Sequence, residues 1–291
     1  MSNAWERDAM PNQQFFTPTE LQQACALLAD ESLKPLAIAG GTDLMARFNR
    51  SRRRRDETLV FLGKLCLDYI TEEGGKVLVG ACAPLSAVAA SPLVREKLPL
   101  LAKACSEMAS PAVRNAATLG GNAVSNWRYA DGVAALIALN ATVVIASTQG
   151  EHRMPMADFA AAPKKQALAS GGVVRHFAVD PLAAEEKWAW EKMRARKGES
   201  RSIVSVSMRA RMAGGRCTDL RLVIGNMAAN PFVSKKAAEL LVGKTPDEAL
   251  IAQAAESVQT ETDPASDARA SAWYRQKVTA ALVRRVLAQL A

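Results

Sequence analysis

The chain has 291 residues, with 37 Lys and Arg against 29 Asp and Glu (net charge +8), and is 49% hydrophobic and 23% charged. At roughly 150 residues per domain, this suggests about two domains with ample core, and the composition excludes disordered and collagen-like chains. The five cysteines and two histidines are scattered, with no C-x-x-C pair; this excludes a zinc or iron–sulfur site within the chain and points to a reducing compartment.

Residues 1–10 carry Trp5, Glu6, Arg7 and Asp8 and lack the apolar stretch of a signal peptide. Residues 19–30 read as a helix, capped by Thr17 or Thr19, with Leu21, Cys25 and Leu28 on one face. Leu36-Ala37-Ile38-Ala39 is a short buried strand, broken by Gly40-Gly41-Thr42-Asp43; Leu44, Met45 and Phe48 then show helical spacing. The basic run at 50–55 reads as a solvated loop or as an anion- or partner-docking patch.

Strands are expected at 58–62 and 76–80, and helices at 85–90 and 98–108, with Pro92 and Pro99 as punctuation. A second pair, Gly120-Gly121, closes the segment from Val113. A helix follows at 131–139, then strands at 142–147 and 173–179, the latter stopped by Pro181. The apolar run 133–146 is interrupted by Asn140 and falls short of the roughly 20 residues of a membrane span. The expectation is a soluble, cytoplasmic protein.

Beyond Pro181, strands at 188–194, 203–212 and 220–225 give way to Ala/Glu/Lys/Leu-rich helices at 234–242, 246–257 and 270–290. Strands followed by helices suggest a separate α+β domain, with the boundary near Pro181.

Motifs that would carry chemistry are mostly absent. Gly243-Lys244-Thr245 resembles the end of a P-loop, but Ala238 stands where that loop needs glycine. Gly243 reads as a helix cap, with Pro246 opening the next helix. No G-x-G-x-x-G, H-E-x-x-H or G-x-S-x-G pattern occurs, so no catalytic acid, base, nucleophile or metal ligand is assigned. His152 and His176 read as structural.

The two double-glycine turns remain. Paired glycines before a helix let backbone amides approach a phosphate with no Cβ in the way. Two such turns, each with a hydroxyl (Thr42 or Thr118), are able to clasp a diphosphate between them; ordinary tight turns are the competing reading. Asp131 lies ten residues past the second turn, placed to accept from a ribose hydroxyl or an adenine amino group.

The segments Ala37-Ile38-Ala39-Gly40-Gly41-Thr42-Asp43-Leu44 and Ser110-Pro111-Ala112-Val113-Arg114-Asn115-Ala116-Ala117-Thr118-Leu119-Gly120-Gly121-Asn122 resemble the two FAD signatures of one family. It is the FAD-binding (medium) subunit of molybdenum hydroxylases: xanthine dehydrogenase, carbon monoxide dehydrogenase and aldehyde oxidase. The resemblance implies an α+β fold. A two-lobed FAD domain of the PCMH (vanillyl-alcohol-oxidase-like) type would span 14–180, with lobes at about 14–65 and 66–180. A carbon monoxide dehydrogenase flavoprotein-like C-terminal domain, an antiparallel sheet plus helices, would follow at 183–290.

It further implies FAD as cofactor, with Ala37, Ile38, Ala39, Gly40, Gly41, Thr42 and Asp43 wrapping the pyrophosphate. Thr118, Gly120, Gly121 and Asn122 would bind phosphate and ribitol, and Asp131 the adenosine ribose. Val174 matches an apolar position near the flavin, and Lys192 a lysine leading to a loop beside the isoalloxazine; plain core and plain solvated readings stand beside these two. The implied function is electron transfer. Electrons would come from a molybdopterin-binding large subunit through a 2Fe-2S small subunit to FAD, then leave to NAD, a quinone or oxygen.

Departures from the family pattern are visible. Asn126-Trp127-Arg128-Tyr129-Ala130-Asp131 replaces a usual Ser-Pro-x-x-Asp, which bears on the adenosine end of the site. Gly171-Gly172 replaces an acidic residue before the Val174 strand, and the run at 50–55 is unusually basic. The rivals are a stand-alone FAD oxidase, for which the stretch after Pro181 is small, and a nucleic-acid binder, for which interleaved aromatics are missing.

Overall fold

A computed structural model describes residues 14–50, 56–125, 127–196 and 198–290. Most of the basic run, 51–55, lies outside them.

The first lobe holds β1 (Phe15–Phe16), α1 (Leu21–Ala29), β2 (Pro35–Ile38), α2 (Leu44–Arg50) and β3 (Thr58–Phe61). The strands form a parallel sheet in the order β1-β3-β2. α1 has Glu20 at its N-cap with no side-chain cap bond, so neither threonine caps it. Its buried Ala24 and Cys25 meet Leu65, Leu67, Cys82, Ala146 and Val173 in a small core that ties this lobe to the next.

The second lobe begins with the hairpin β4 (Ile70–Glu73) and β5 (Lys76–Gly80), turned at Gly74 and Gly75, both at positive φ. Helices α3 (Leu85–Ala90), α4 (Pro92–Lys97), α5 (Pro99–Ser106), α6 (Pro111–Ala116), α7 (Leu119–Ser125) and α8 (Asp131–Ala138) follow. The prolines at 92, 99 and 111 occupy first helical positions, where no amide partner is lost. Strands β6 (Thr142–Ser147) and β7 (Gly150–Pro155), helices α9 (Met156–Ala161) and α10 (Lys164–Ala167), and strand β8 (Val173–Val179) complete the lobe. Its sheet is antiparallel, in the order β4-β5-β8-β6-β7.

After 180 the chain forms a third sheet from β9 (Glu186–Met193), β10 (Val204–Ala213), β11 (Arg216–Gly225) and β12 (Phe232–Val233), order β12-β11-β10-β9. Helices α11 (Lys235–Leu241), α12 (Glu248–Gln259) and α13 (Ala272–Leu287) follow. Asp247, not Pro246, caps α12 by accepting from the Leu250 amide, and Gly243 stands beyond α11 at φ 84°.

The third sheet is buried on both faces. Val204, Val206, Met208 and Ala210 of β10 join α11–α13 in one core, whereas Trp190 of β9 and Val223 of β11 join α5 and α8 in the core of the second lobe. Strand alternation does this, since Ala189 and Trp190, like Leu222 and Val223, point to opposite faces. α8 is therefore enclosed, and every one of its residues is buried.

Candidate functional site

A cleft of about 1150 Å³ runs between the two lobes and the third sheet. All fourteen residues singled out from the sequence line it: Ala37 to Asp43, Thr118, Gly120, Gly121, Asn122, Asp131, Val174 and Lys192. His152 and His176 do not; His176 Nδ1 lies 2.7 Å from the Tyr69 hydroxyl on the sheet.

The first wall is the turn leaving β2. Its backbone passes so close to α6 that a Cβ on Gly40 would sit 1.8 Å from the Ala116 carbonyl oxygen, and Gly41 adopts φ 68°. Both positions therefore require glycine. The Gly41 and Asp43 carbonyls accept from Met45 and Arg47, starting α2. The amides of Gly41, Thr42 and Asp43 have no hydrogen-bond partner among the described residues. Three adjacent unpaired donors in a cleft wall call for an acceptor-rich ligand.

The second wall differs from the sequence expectation. Gly120 and Gly121 do not precede a helix but stand in the first turn of α7, and their amides are engaged. Leu119 and Gly120 donate to the carbonyls of Ala83 and Ala81, and Gly121 donates to Thr118 Oγ1 at 3.0 Å. Gly120 is glycine for packing, since a Cβ there would lie 2.6 Å from the Ala81 carbonyl oxygen. At Gly121 a Cβ would meet only the Thr118 hydroxyl, at 2.9 Å. Thr118 Oγ1, having accepted from Gly121, keeps its own proton to donate into the cleft. The contribution of this wall is thus hydroxyl and side-chain amide more than backbone amides. Asn122 Oδ1 is buried without a partner among the described residues.

Asp43 joins the walls. Its carboxylate accepts from Ser125 Oγ (3.2 Å) and Trp127 Nε1 (3.0 Å) and pairs with Arg47 at 2.8 Å. Trp127 stacks on Tyr129 with centroids 5.4 Å apart and planes 9° from parallel.

At the floor, Asp131 opens α8. Its Oδ2 is 2.7 Å from Lys192 Nζ and its Oδ1 accepts from Ser202 Oγ at 2.5 Å. The two ionic side chains are 3% and 1% exposed, so Lys192 is no solvated surface lysine. Lys192 also donates to the Glu107 carbonyl at 3.1 Å. Glu107 is held below the usual carboxylate range: burial alone would raise it, but Lys103, Trp190 and Arg194 outweigh burial. Val174 on β8 is both core and cleft lining. Gly171, at φ 70°, lets the chain pass α1, where a Cβ would be 2.0 Å from the Cys25 carbonyl oxygen; that close approach leaves no room for the acidic residue of the family pattern.

Cys82 also lines the cleft, its thiol pushed up to about 11 by burial and by Asp68, which keeps it protonated and unreactive. Residues the sequence reading did not find include Met108, Ser202, Arg201 and Arg269. Met108, Arg201 and Arg269 line the cleft, whereas Ser202 is buried behind it and acts through its bond to Asp131; all except Met108 lie after residue 180, in loops that the packing of the C-terminal part against the second lobe brings to the site. Arg47, Lys165, Lys192, Arg196, Arg201 and Arg269 outnumber Asp43, Asp131 and Glu199 along the lining, so the cleft favours an anion.

Residues 11–180 match the model of the family described as the FAD binding domain in molybdopterin dehydrogenase, and 188–290 match the CO dehydrogenase flavoprotein C-terminal domain. The chain belongs to this family. The flavoprotein is 31% identical over 240 residues to the nicotinate dehydrogenase FAD-subunit of Eubacterium barkeri, covering 80% of this chain and 81% of the relative. It is 27% identical to the carbon monoxide dehydrogenase medium chain of Hydrogenophaga pseudoflava, covering 95% and 96%. The solved carbon monoxide dehydrogenase of that organism superposes with a TM-score of 0.90 at 28% identity, over 96% of each chain. Quinoline 2-oxidoreductase from Pseudomonas putida 86 superposes at 0.87 with 29% identity, over 97% of each. The flavoprotein is accordingly an FAD-dependent oxidoreductase subunit with the α+β architecture of the carbon monoxide dehydrogenase medium chain.

Proposed function

We propose that this chain holds FAD in the interlobe cleft and relays electrons within a larger complex, between a 2Fe-2S small subunit fed by a molybdopterin-binding large subunit and an external acceptor such as NAD, a quinone or oxygen. The observation that carries this reading is the turn after β2, where the unpaired amides of Gly41, Thr42 and Asp43 face a cleft bounded on the other side by Thr118 and Asn122. When bound, the flavin supplies the electron chemistry; the protein supplies binding, orientation and electrostatics.

In this reading the three free amides and Thr42 hold the diphosphate, and the Thr118 hydroxyl and the Asn122 amide take the phosphate and ribitol side. Asp131 has accepted from Lys192 and Ser202, yet a carboxylate has about four lone-pair positions, which leaves capacity for a ribose hydroxyl. Val174 and Met108 form an apolar wall for the ring system. Lys192, neutralised by Asp131, orients that carboxylate.

The lining holds no Ser–His or Cys–His pair, its Ser125 hydroxyl donating to the Asp43 carboxylate at 3.2 Å, and none of the described helices is long and apolar enough to cross a membrane. Five free cysteines fit a reducing compartment, the cytoplasm. The test is the purified chain: it should be yellow and release FAD, not FMN, on denaturation, and it should co-purify from its host with a cysteine-rich small chain and a much larger one. A colourless protein that cannot be reconstituted overturns the reading.

A further inference from the structure

Trp127 is 42% exposed and lines the cleft mouth, although a large indole is normally buried or engaged. One face lies on Tyr129, and the Arg201 and Arg269 guanidinium carbons stand 4.8 and 5.9 Å from the Tyr129 centroid. The indole is fixed in place, because Nε1 donates to Asp43 at the end of the turn with the free amides. Arg269 is anchored by Asp267 at 3.0 Å, whereas Arg201 has no carboxylate partner among the described residues. The result is a rigid, two-layer aromatic platform with an open outer face and an uncompensated cation beside it.

That combination suits one class of ligand, a planar base carrying phosphate: rings stack on the indole face at offset-parallel distances, and guanidinium groups take the negative charge. We infer that Trp127, braced by Tyr129, stacks the adenine of a nucleotide whose phosphates face Arg201 and the turn after β2. The inference rests on the proposed FAD reading and extends it to residues at which this chain departs from its family's pattern. Two sources share the chemistry: the adenine of the bound FAD itself, or that of a second nucleotide arriving at the loaded protein.

The experiment measures FAD affinity of the cofactor-free full chain and ADP affinity of the FAD-loaded chain, for the unaltered protein, W127A and W127F. Loss of a base-stacking partner predicts that W127A weakens one of these affinities by about tenfold, while W127F, which keeps an aromatic face, stays within about threefold of the unaltered protein. A loss confined to FAD assigns the platform to the cofactor's own adenine; a loss confined to ADP on the loaded chain assigns it to a second nucleotide. If W127A changes neither, the stacking role is wrong. If W127F falls as far as W127A, the effect runs through the Asp43 hydrogen bond and stacking is again wrong. An unaltered chain that takes up no FAD sinks the function reading instead, a separate outcome from an FAD-binding chain indifferent to W127A.

Discussion

Removing one partner of the Asp131–Lys192 pair should be among the most damaging single substitutions in this chain. With side chains 3% and 1% exposed and 2.7 Å between the charged atoms, water screens the pair little. Even at an effective dielectric of 20, Coulomb's law gives a gross attraction of about 6 kcal/mol, most of it offset by the desolvation of both ions. Breaking the pair leaves that desolvation uncompensated, so D131N and K192M should each cost about 3–5 kcal/mol, whereas the double variant D131N/K192M should cost far less than their sum. The assay is urea unfolding of the cofactor-free chain followed by tryptophan fluorescence. Trp188 and Trp190 sit on the same strand as Lys192 and report the junction directly. Single-variant costs under about 1 kcal/mol, or a double variant equal to the sum, would refute the argument, because either result means the charges do not depend on each other.

The two glycine walls should respond differently to substitution. At Gly121 an added Cβ meets only the Thr118 hydroxyl, so in Gly121→Ala FAD retention should fall at least about tenfold with a small change in unfolding midpoint, whereas Gly40→Ala drives a Cβ into the Ala116 carbonyl and should cost about 1–3 kcal/mol of stability. Full flavin content in Gly121→Ala, read from absorbance of the purified protein, would contradict this. His176 is held below its ordinary value of 6.5, first by burial and then by Arg175. The unfolded chain therefore takes up the proton first as pH falls, so this stability is complete above about pH 6.5 and drains below it. Urea midpoints from pH 7.5 to 5.5 should drop less steeply for H176Q than for the unaltered protein; parallel slopes would show that His176 contributes nothing.

Much of the architecture was legible because the signals were local. The β5, β6 and β8 strands and the α3 helix stand where periodicity put them, and the glycine hairpins at 74–75 and 214–215 turn at positive φ. β7 was missed because five of its six residues are exposed and give no apolar alternation, and β4 because Glu72 and Glu73 hide its period. Pro92 reads as punctuation and Pro111 carries no separate helix-start signal, yet each opens a short helix, a role that single-residue propensity does not distinguish from a break.

The cleft lining was legible for a different reason. The turn after β2 and the start of α7 are dictated by steric contacts that only glycine tolerates, and such contacts leave a mark in one sequence. The Gly120-Gly121 pair shows the limit of that mark: glycine declared a close approach, but whether to a ligand or to the Ala81 carbonyl depends on the turn that leaves β5, about forty residues earlier. Arg201 and Arg269, which line the cleft, and Ser202, which holds Asp131 from behind, carry no local signature at all, since only the three-dimensional packing of the C-terminal part brings them to the site.

The third sheet, buried on both faces, has a consequence for how such chains can be recombined. Trp190 and Val223 are part of the same packed core as α5 and α8, so a cut near Pro181 would strip α8 of its cover and leave one face of the sheet bare. The two halves recognised by separate family models are therefore not interchangeable modules. A chimera joining the first half of this flavoprotein to the second half of a relative would inherit a mismatched core directly beneath Asp131, and exchange between relatives is expected to succeed only when α8 and the facing strands travel together.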